Sequence, residues 1–277
     1  MEILTLYVGQ GGLAVIRHGT ESILVDSRIP DTDEVSAESV EKKIETMTDG
    51  RHVVGLVLTS FDADHADPFG LDLLLDRFEP DWVMYPKYYK DTDNASAVFR
   101  VIRKHEARRE NTDRPLIRHS VRLDQLDSRH LEGLCTEFQL ELFSPHVEDM
   151  NNSNNCGIVL RVSAEETGGF SYLITGDTEN DRWDRINALF GDALSSLVMA
   201  APHHGSKNGA NPETLLLVSP DTVLISAGVD NQYGHPDPQA VKMYQAVAEH
   251  VFATNVEGGV SLVTLKRGDD IVTELAR

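Results

Sequence analysis

Four short apolar runs in this chain, each rich in β-branched or aromatic residues, stop on tight groups of side chains able to bind metal. The runs HVVGLVLTS (52–60), FSYLITG (170–176), LVMAAP (197–202) and TVLISAG (222–228) read as strands, bounded by Gly, Pro, Asp or Asn. After them come Ser60-Phe61-Asp62-Ala63-Asp64-His65, Thr175-Gly176-Asp177, Pro202-His203-His204-Gly205-Ser206 and Tyr233-Gly234-His235-Pro236. A single acidic turn or His pair is ordinary loop chemistry. Four such groups at strand ends require a fold that gives strand termini a common use. Carboxylate oxygen and neutral imidazole nitrogen are natural ligands of a borderline divalent cation, and ligand sites of α/β proteins gather beyond the carboxyl ends of core strands.

The elements around these groups follow from periodicity. Ile3–Val8, Leu13–Arg17 and Ser22–Val25 are β-rich runs punctuated by Gly9, Gly11, Gly12 and Gly19, which predicts an opening antiparallel meander. Residues 36–47 have helical composition, with Ser36 or Asp33 as cap, and Phe69–Phe78 carries leucines at helical spacing before a strand at 81–86. Further strands are predicted near 137–143, 157–162 and 260–265. Further helices are predicted near 180–190, 211–218 and 237–250, with Pro212 and Pro238 in the first turns of the last two. Two β-rich halves, each with helices, predict two sheets packed face to face with helices outside. The chain is read as one domain over 1–277.

Composition matters chiefly through charge. The 277 residues carry 25 Lys and Arg against 45 Asp and Glu, a net of −20, which excludes a protein that coats nucleic acid by bulk electrostatics. The average conceals a division. Residues 87–129 hold 11 bases against 7 acids, a net of +4, leaving −24 for the remainder. Within that stretch Ala95–Arg109 reads as a helix with Val98, Ile102 and Val101 inward and bases such as Arg103 and Lys104 outward. Two uses are open for those bases, a solvated face that balances an acidic body or a surface for phosphate.

Two cysteines, Cys135 and Cys156, are too few for a disulfide framework, and the expected setting is a reducing compartment. The N-terminus lacks a basic segment followed by an apolar one, and no apolar run approaches the ~20 residues of a membrane span. The expectation is a cytoplasmic protein without membrane association.

In order and spacing, LYVGQGGLAVI (6–16), ILVDS (23–27), LVLTSFDADH (56–65), NNSNNCGIVLRV (151–162), YLITGD (172–177), APHHGSKNG (201–209) and NQYGHP (231–236) resemble the metallo-β-lactamase superfamily. The branch they match is the one that includes the hydrolase domain of bacterial competence DNA-uptake channel proteins. The resemblance runs through almost the whole chain. It implies an αββα sandwich of two mixed sheets with helices on the outer faces and a metal centre where both sheets end.

Carried over residue by residue, the resemblance makes Asp62, Asp64, His65, Asp177 and His235 metal ligands, with Asp177 bridging two ions. It places His203 and His204 at the cleft, one able to ligate and the other to protonate a leaving oxygen, and Asp64 beside them in the catalytic group. Ser206 and Lys207 are candidate phosphate contacts, although a plain surface lysine is the commoner reading of a residue like Lys207, and Arg103 and Lys104 are candidate contacts to the substrate backbone. Two departures stand out. Ser60 replaces the histidine that opens the family's second motif, and the Asn-rich stretch 151–155 stands where many members have another histidine. The first metal position therefore keeps few nitrogen ligands, and its expected occupancy is weak, while Asp64, His65, Asp177 and His235 hold one ion well.

The implied cofactor is one or two divalent ions, Mn²⁺ or Zn²⁺ with Mg²⁺ as a further candidate, since oxygen-rich positions favour harder ions. The implied activity is metal-dependent hydrolysis of a phosphodiester, DNA or a nucleotide, by metal-activated hydroxide. Two alternatives stay open: hydrolysis of a small substrate such as a cyclic nucleotide or ester, and a metal-binding regulatory module with weakened catalysis and a protein partner.

Overall fold

A computed structural model describes residues 1–30, 32, 35–124, 129–146, 152–164 and 169–276. Asp33, the alternative cap, and Asn151, the first residue of the Asn-rich stretch, lie outside the described residues.

The first half opens with β1 (Glu2–Thr5), β2 (Ala14–His18) and β3 (Glu21–Val25), paired antiparallel in sequence order as the glycine punctuation predicts. Helix α1 (Ala37–Thr48) starts at Ser36, whose hydroxyl accepts from the amide of Ser39. Then follow β4 (His52–Val57), α2 (Pro68–Arg77), β5 (Trp82–Pro86), α3 (Asp93–Arg109) and β6 (Ile117–Val121), with β3 to β6 all parallel. The second half contains β7 (Gln139–Ser144), β8 (Val159–Ala164), β9 (Phe170–Ile174), α4 (Asn180–Phe190), β10 (Val198–Ala200), α5 (Pro212–Val218), β11 (Thr222–Ile225), α6 (Pro238–Gln245) and β12 (His250–Ala253). It ends on a hairpin of β13 (Leu262–Arg267) and β14 (Asp270–Leu275).

Two mixed sheets result. One has eight strands in the order β14-β13-β1-β2-β3-β4-β5-β6, the other six in the order β12-β11-β10-β9-β8-β7. The sheets do not divide strictly by halves of the chain, because β13 pairs antiparallel with β1 and the C-terminal hairpin completes the N-terminal sheet. The predicted helix over 237–250 is also shorter. It ends at Gln245, and His250–Ala253 forms a parallel edge strand beside β11.

Side-chain alternation gives the layers. Ile3, Ile16, Ile23, Val25 and Met84 face the other sheet and join a buried cluster with Leu142, Leu160, Val162 and Ile174. Their neighbours Leu4, Val15, Leu24 and Val83 face outward and are buried under Ile44 of α1, Leu71 and Leu74 of α2, and Val98 and Ile102 of α3. On the far side, Trp183 of α4, Leu215 of α5 and Tyr244 of α6 cover the second sheet and are fully buried. The order helix, sheet, sheet, helix is the αββα sandwich. It leaves the carboxyl ends of β3, β4, β9, β10 and β11 along one edge of the sandwich. Among the described residues no helix is long and apolar enough to cross a membrane.

Candidate metal centre

Each strand on that edge delivers one or two groups within the few residues past its end. β3 delivers Asp26, β4 delivers Thr59 and the turn to His65, β9 delivers Asp177, β10 delivers His203 and His204, and β11 delivers Ser226. The turn after β4 is closed by its own polar groups. The hydroxyl of Ser60 accepts from the amide of Asp62 at 3.2 Å, and the amides of His65 and Ala66 donate to the Asp62 carbonyl at 3.0 and 2.8 Å. Ser60, at the position where the resemblance leads one to expect a histidine, is thus buried as a turn cap. The same turn is anchored from α3, whose Asn94 amide donates to the carbonyls of Phe61 and Ala66, each at 2.9 Å.

His65 lies at the centre and is buried. Its Nδ1 is 2.7 Å from Oδ2 of Asp26, and Asp26 is itself held by the Thr59 amide at 2.7 Å and the Thr59 hydroxyl at 2.8 Å. With Nδ1–H donating to that carboxylate, the Nε2 lone pair faces the edge of the sandwich. His204 is fixed the same way, its Nδ1 lying 2.8 Å from the carbonyl of Ser226. The two imidazoles stack with centroids 5.1 Å apart.

The remaining atoms converge without pairing. Nε2 of His65 is 2.8 Å from Oδ1 of Asp177, and Nε2 of His204 is 3.5 Å from both Oδ1 of Asp177 and Oδ2 of Asp64. Yet Nε2 of His65, Nε2 of His204 and Oδ1 of Asp177 are all buried and make no hydrogen bond. One ligand atom from each of Asp64, His65, Asp177 and His204 lies within 4.8 Å of the others. With the imidazoles neutral, these buried lone pairs face one another with no donor between them, an arrangement that is costly unless a proton or a cation occupies the point they share. Two imidazoles and two carboxylates are a donor set suited to a divalent cation. The residues fit such an ion.

Electrostatics reflect the crowding of the metal-free cluster. Burial works against ionisation of Asp177, but the neighbouring charges of His65 and His204 outweigh it and hold the carboxyl well below the usual range. Burial likewise opposes charge on His65 and His204. The carboxylates of Asp177 and Asp26 raise the first well above an ordinary imidazole, and Asp177 and Asp64 raise the second. For Asp64, burial is again outweighed, here by the nearby His204 and His65 rings, and the carboxyl sits below its ordinary value. Asp62 differs. Burial raises its pKa, the like charges of Asp64 and Asp177 add to the shift, and it stands outside the four-residue group.

The other residues singled out in the sequence occupy varied places. His203 borders the cluster, with Nε2 3.9 Å from Oδ2 of Asp177 and Nδ1 3.4 Å from Oε1 of Glu179. Glu179 accepts from the side-chain amides of Asn152 at 2.7 Å and Asn154 at 3.0 Å, so the Asn-rich stretch fixes the carboxylate that stands beside His203. His235 is half-buried on the rim, 5.5 Å from His203 between ring centroids, and lines the cleft with Asp62, Asp64, Asp177 and Gln10. Burial pushes its pKa down, and His203 and His204 push it further. His204 therefore takes the place among the four converging groups that the sequence reading assigned to His235.

Ser206 is buried, and its hydroxyl accepts from the amide of Asn208 at 3.3 Å, while Lys207 is exposed. Arg103 and Lys104 are not brought to the cluster. They follow Asn94, which touches the metal loop, by nine and ten residues along α3, about 14–15 Å at the helical rise. Lys104 is paired with Asp72 of α2 at 2.7 Å. The sequence reading missed Asp26, Thr59, Ser226 and Glu179 as supporting groups. Asp26 had one available signal, its position directly after a strand that runs parallel to β4.

No protein-family model matches the chain. Over 205 residues it is 27% identical to ComE operon protein 3 of Bacillus subtilis (strain 168), which covers 74% of this chain and 24% of that protein. The chain thus spans about a quarter of the relative's length. Among solved structures it is similar to Igni18, a metallo hydrolase of the archaeon Ignicoccus hospitalis (TM-score 0.53, 14% identity, 96% of this chain and 100% of that one). It is also similar to the metallo-β-lactamase fold protein YhfI of Bacillus subtilis (0.52, 12%, 94% and 99%) and to the short form of human tRNase Z (0.51, 14%, 98% and 98%).

Proposed function

On the premise that this chain has the metallo-β-lactamase fold, we propose that it is a metal-dependent hydrolase of phosphodiesters, with DNA as the leading substrate. The observation that carries this reading is the convergence of four ligand atoms from Asp64, His65, Asp177 and His204, three of them buried without hydrogen bonds, at the mouth of a cleft. Those four residues would hold one divalent cation, Zn²⁺ or Mn²⁺. Such an ion supplies Lewis acidity toward a phosphoryl oxygen and lowers the pKa of water.

The chain's own groups do the rest. Asp26 and Ser226 hold His65 and His204 in the tautomer that presents Nε2 to the cleft. His203, partly exposed and 3.4 Å from the Glu179 carboxylate, borders the cleft where it can hand a proton to a departing oxygen. His235 and Asp62 line the same cleft and bound where a substrate phosphate sits. Support for DNA comes from the motifs LVLTSFDADH, YLITGD and APHHGSKNG, which resemble those of the hydrolase domain of competence DNA-uptake channel proteins. Support for a phosphodiester more generally comes from the fold shared with tRNase Z.

A second reading, hydrolysis of a small anion such as a cyclic nucleotide, draws on the net charge of −20, which penalises a long polyanion. Salt separates the two, since affinity for a polymer that contacts several phosphates falls steeply with ionic strength.

The test is metal analysis after dialysis against Zn²⁺ or Mn²⁺, followed by cleavage of single-stranded and plasmid DNA. About one ion per chain and DNA cleavage abolished by Asp64→Ala and by His65→Ala are the expected results. Cleavage that survives both substitutions overturns the assignment.

A further inference from the structure

The lining of the cleft narrows what it can recognise. Apart from the cluster and His203, its walls are Gln10, Asp62, Ser153, Asn154, Tyr233 and His235, and no lysine or arginine is among them. The basic stretch does not make up for this, since Lys104, Arg108 and Arg114 are paired with Asp72, Asp76 and Asp81. An ion held by the cluster can take one phosphate. A second phosphate of the same chain finds no lysine or arginine in the cleft. The volume is about 260 Å³, just below the range of sites that enclose drug-sized ligands. There is room for one phosphate and one group bonded to it, and too little for a run of nucleotides. Selection among phosphodiesters therefore falls on the attached group.

Tyr233 is the one lining residue with a large apolar face, and its side chain is 59% exposed. A lone exposed tyrosine is ordinary. This one sits on a loop whose backbone is fixed. Oδ1 of Asn231 accepts from the amides of Tyr233 at 3.2 Å and His235 at 3.0 Å, and Nδ2 of Asn231 donates to the carbonyls of Gly228 and His235. The Gly234 amide donates to the Asn231 carbonyl at 3.1 Å, and Gly234 turns the chain at φ 69°. The Tyr233 ring lies nearly parallel to that of His235, with 18° between the planes and centroids 6.1 Å apart. His235 in turn is 5.5 Å from His203, whose Nε2 is 3.9 Å from Oδ2 of Asp177. These rings form a wall from the cluster to the rim. A group bonded to a phosphate at the cluster and lying along this wall ends against the tyrosine. Stacking there needs a planar face and is indifferent to which base supplies it, and a backbone fixed beforehand lowers the entropy lost on contact.

From this geometry we infer that Tyr233 determines specificity: its ring stacks on the base of the nucleoside that carries the scissile phosphate, so that the cleft reads one nucleoside and not a length of phosphate backbone. The inference rests on the phosphodiester reading and narrows it to nucleotidyl esters. It is also compatible with a net charge of −20, because recognition through one ring requires no extended cationic face.

The experiment is isothermal titration calorimetry of the zinc-loaded full chain with thymidine 5′-phosphate and with 2-deoxyribose 5-phosphate, two monoesters that differ only in the base. The wild-type protein should bind the nucleotide about tenfold more tightly. In Tyr233→Ala the two affinities should converge through weaker binding of the nucleotide, while zinc content and affinity for the sugar phosphate report on the cluster itself. Tyr233→Phe should keep the preference because the ring is kept. Equal affinities in the wild-type protein, or a preference that persists in Tyr233→Ala, overturns the inference. Loss of zinc from Tyr233→Ala also overturns it and makes the residue a support for His235. Cleavage of a thymidine dinucleotide by the same proteins tells this inference from the reading beneath it. A base preference carried by Tyr233 without any cleavage upholds the aromatic wall and removes the hydrolase. Cleavage without a base preference does the reverse.

Discussion

Asp26 contributes no ligand atom to the cluster, yet its loss should be felt in metal affinity. Its Oδ2 receives His65 Nδ1–H at 2.7 Å, and its Oδ1 receives the amide and hydroxyl of Thr59 at 2.7 and 2.8 Å. Asp26→Asn preserves shape and can keep the Thr59 contacts through its carbonyl oxygen. Its amide nitrogen then faces His65 Nδ1, placing donor against donor unless the imidazole surrenders the tautomer that frees Nε2. One charge-assisted hydrogen bond, about 1.5–3 kcal/mol, is lost or inverted. Outer-shell substitutions of this kind typically lower metal affinity 10–100-fold, or about 1.4–2.7 kcal/mol, so two independent routes to the magnitude agree. The assay is competition for Zn²⁺ against a chelator of known affinity, with the melting temperature of the metal-free protein measured in parallel. Affinity within twofold of wild type, accompanied by a lower melting temperature, would refute the reasoning and leave Asp26 as a brace between β3 and β4.

Other consequences can be measured separately. His204→Gln should remove about one ion equivalent at moderate Zn²⁺, whereas His235→Gln, on the rim, should leave stoichiometry intact; the reverse pattern in metal analysis would exchange their roles. In the metal-free protein His65 and His204 have raised pKa values, so their stabilisation is complete below the ordinary imidazole pKa of about 6.5 and fades as pH rises through the raised values. Asp177 and Asp64 have lowered values, so theirs is present above about pH 4 and fades as pH falls through the lowered values. Thermal melts of chelator-treated protein should therefore peak between about pH 4 and 6.5, and a maximum above pH 8 would contradict this. Gly70→Ala puts a methyl carbon 1.9 Å from the Ser27 carbonyl in the segment whose amide bonds the His65 carbonyl, and it should cost about 1–3 kcal/mol and weaken metal binding; an unchanged denaturation midpoint would count against that packing. Burial pushes the Cys135 thiol up to about 12, with Glu21 adding to the shift, so alkylation at pH 8 should be far slower than in unfolded protein.

What the sequence made legible were the features with a local cause. Ser36 caps α1 because its hydroxyl has an amide three residues on to bind, and the alternation of Ile3 with Leu4 and of Val15 with Ile16 survives as two faces of one sheet. The elements that escaped are edge strands. β6 reads Ile-Arg-His-Ser-Val and lies mostly exposed, β14 is likewise exposed, and β12 is four half-buried residues with no Gly or Pro to separate them from the helix before. An edge strand owes its conformation to backbone pairing on one side more than to apolar alternation, so its side chains carry little signal. The site divides in the same way. Strand-end clusters of Asp and His are visible as text. Which imidazole completes the cluster depends on the Ser226 carbonyl that fixes His204, a contact between separate strands.

Backbone conformation shows how strongly that choice is enforced. His203 and His204 have φ of 50° and 55°, the left-handed region, and Asp26 sits at 61°. Non-glycine residues held there cost of order 1–3 kcal/mol each and persist only where surrounding contacts fix them. Here those contacts are present. The His203 amide donates to the Gly176 carbonyl at 3.0 Å, tying the β10 turn to the turn that carries Asp177, and the Asp237 amide donates to the Gly205 carbonyl at 2.9 Å. Gly205, at φ 79° with Pro236 2.7 Å from where a Cβ would stand, continues the left-handed run where no side chain fits. Two successive left-handed residues let the chain turn back over the strand end, so that His203 reaches the cleft and His204 the buried cluster from adjacent positions. A regular helix beginning at Pro202 would carry the two rings about 100° apart and away from Asp177. The strain is what allows one dipeptide to serve both places, and it is confined to the edge where the chemistry is proposed.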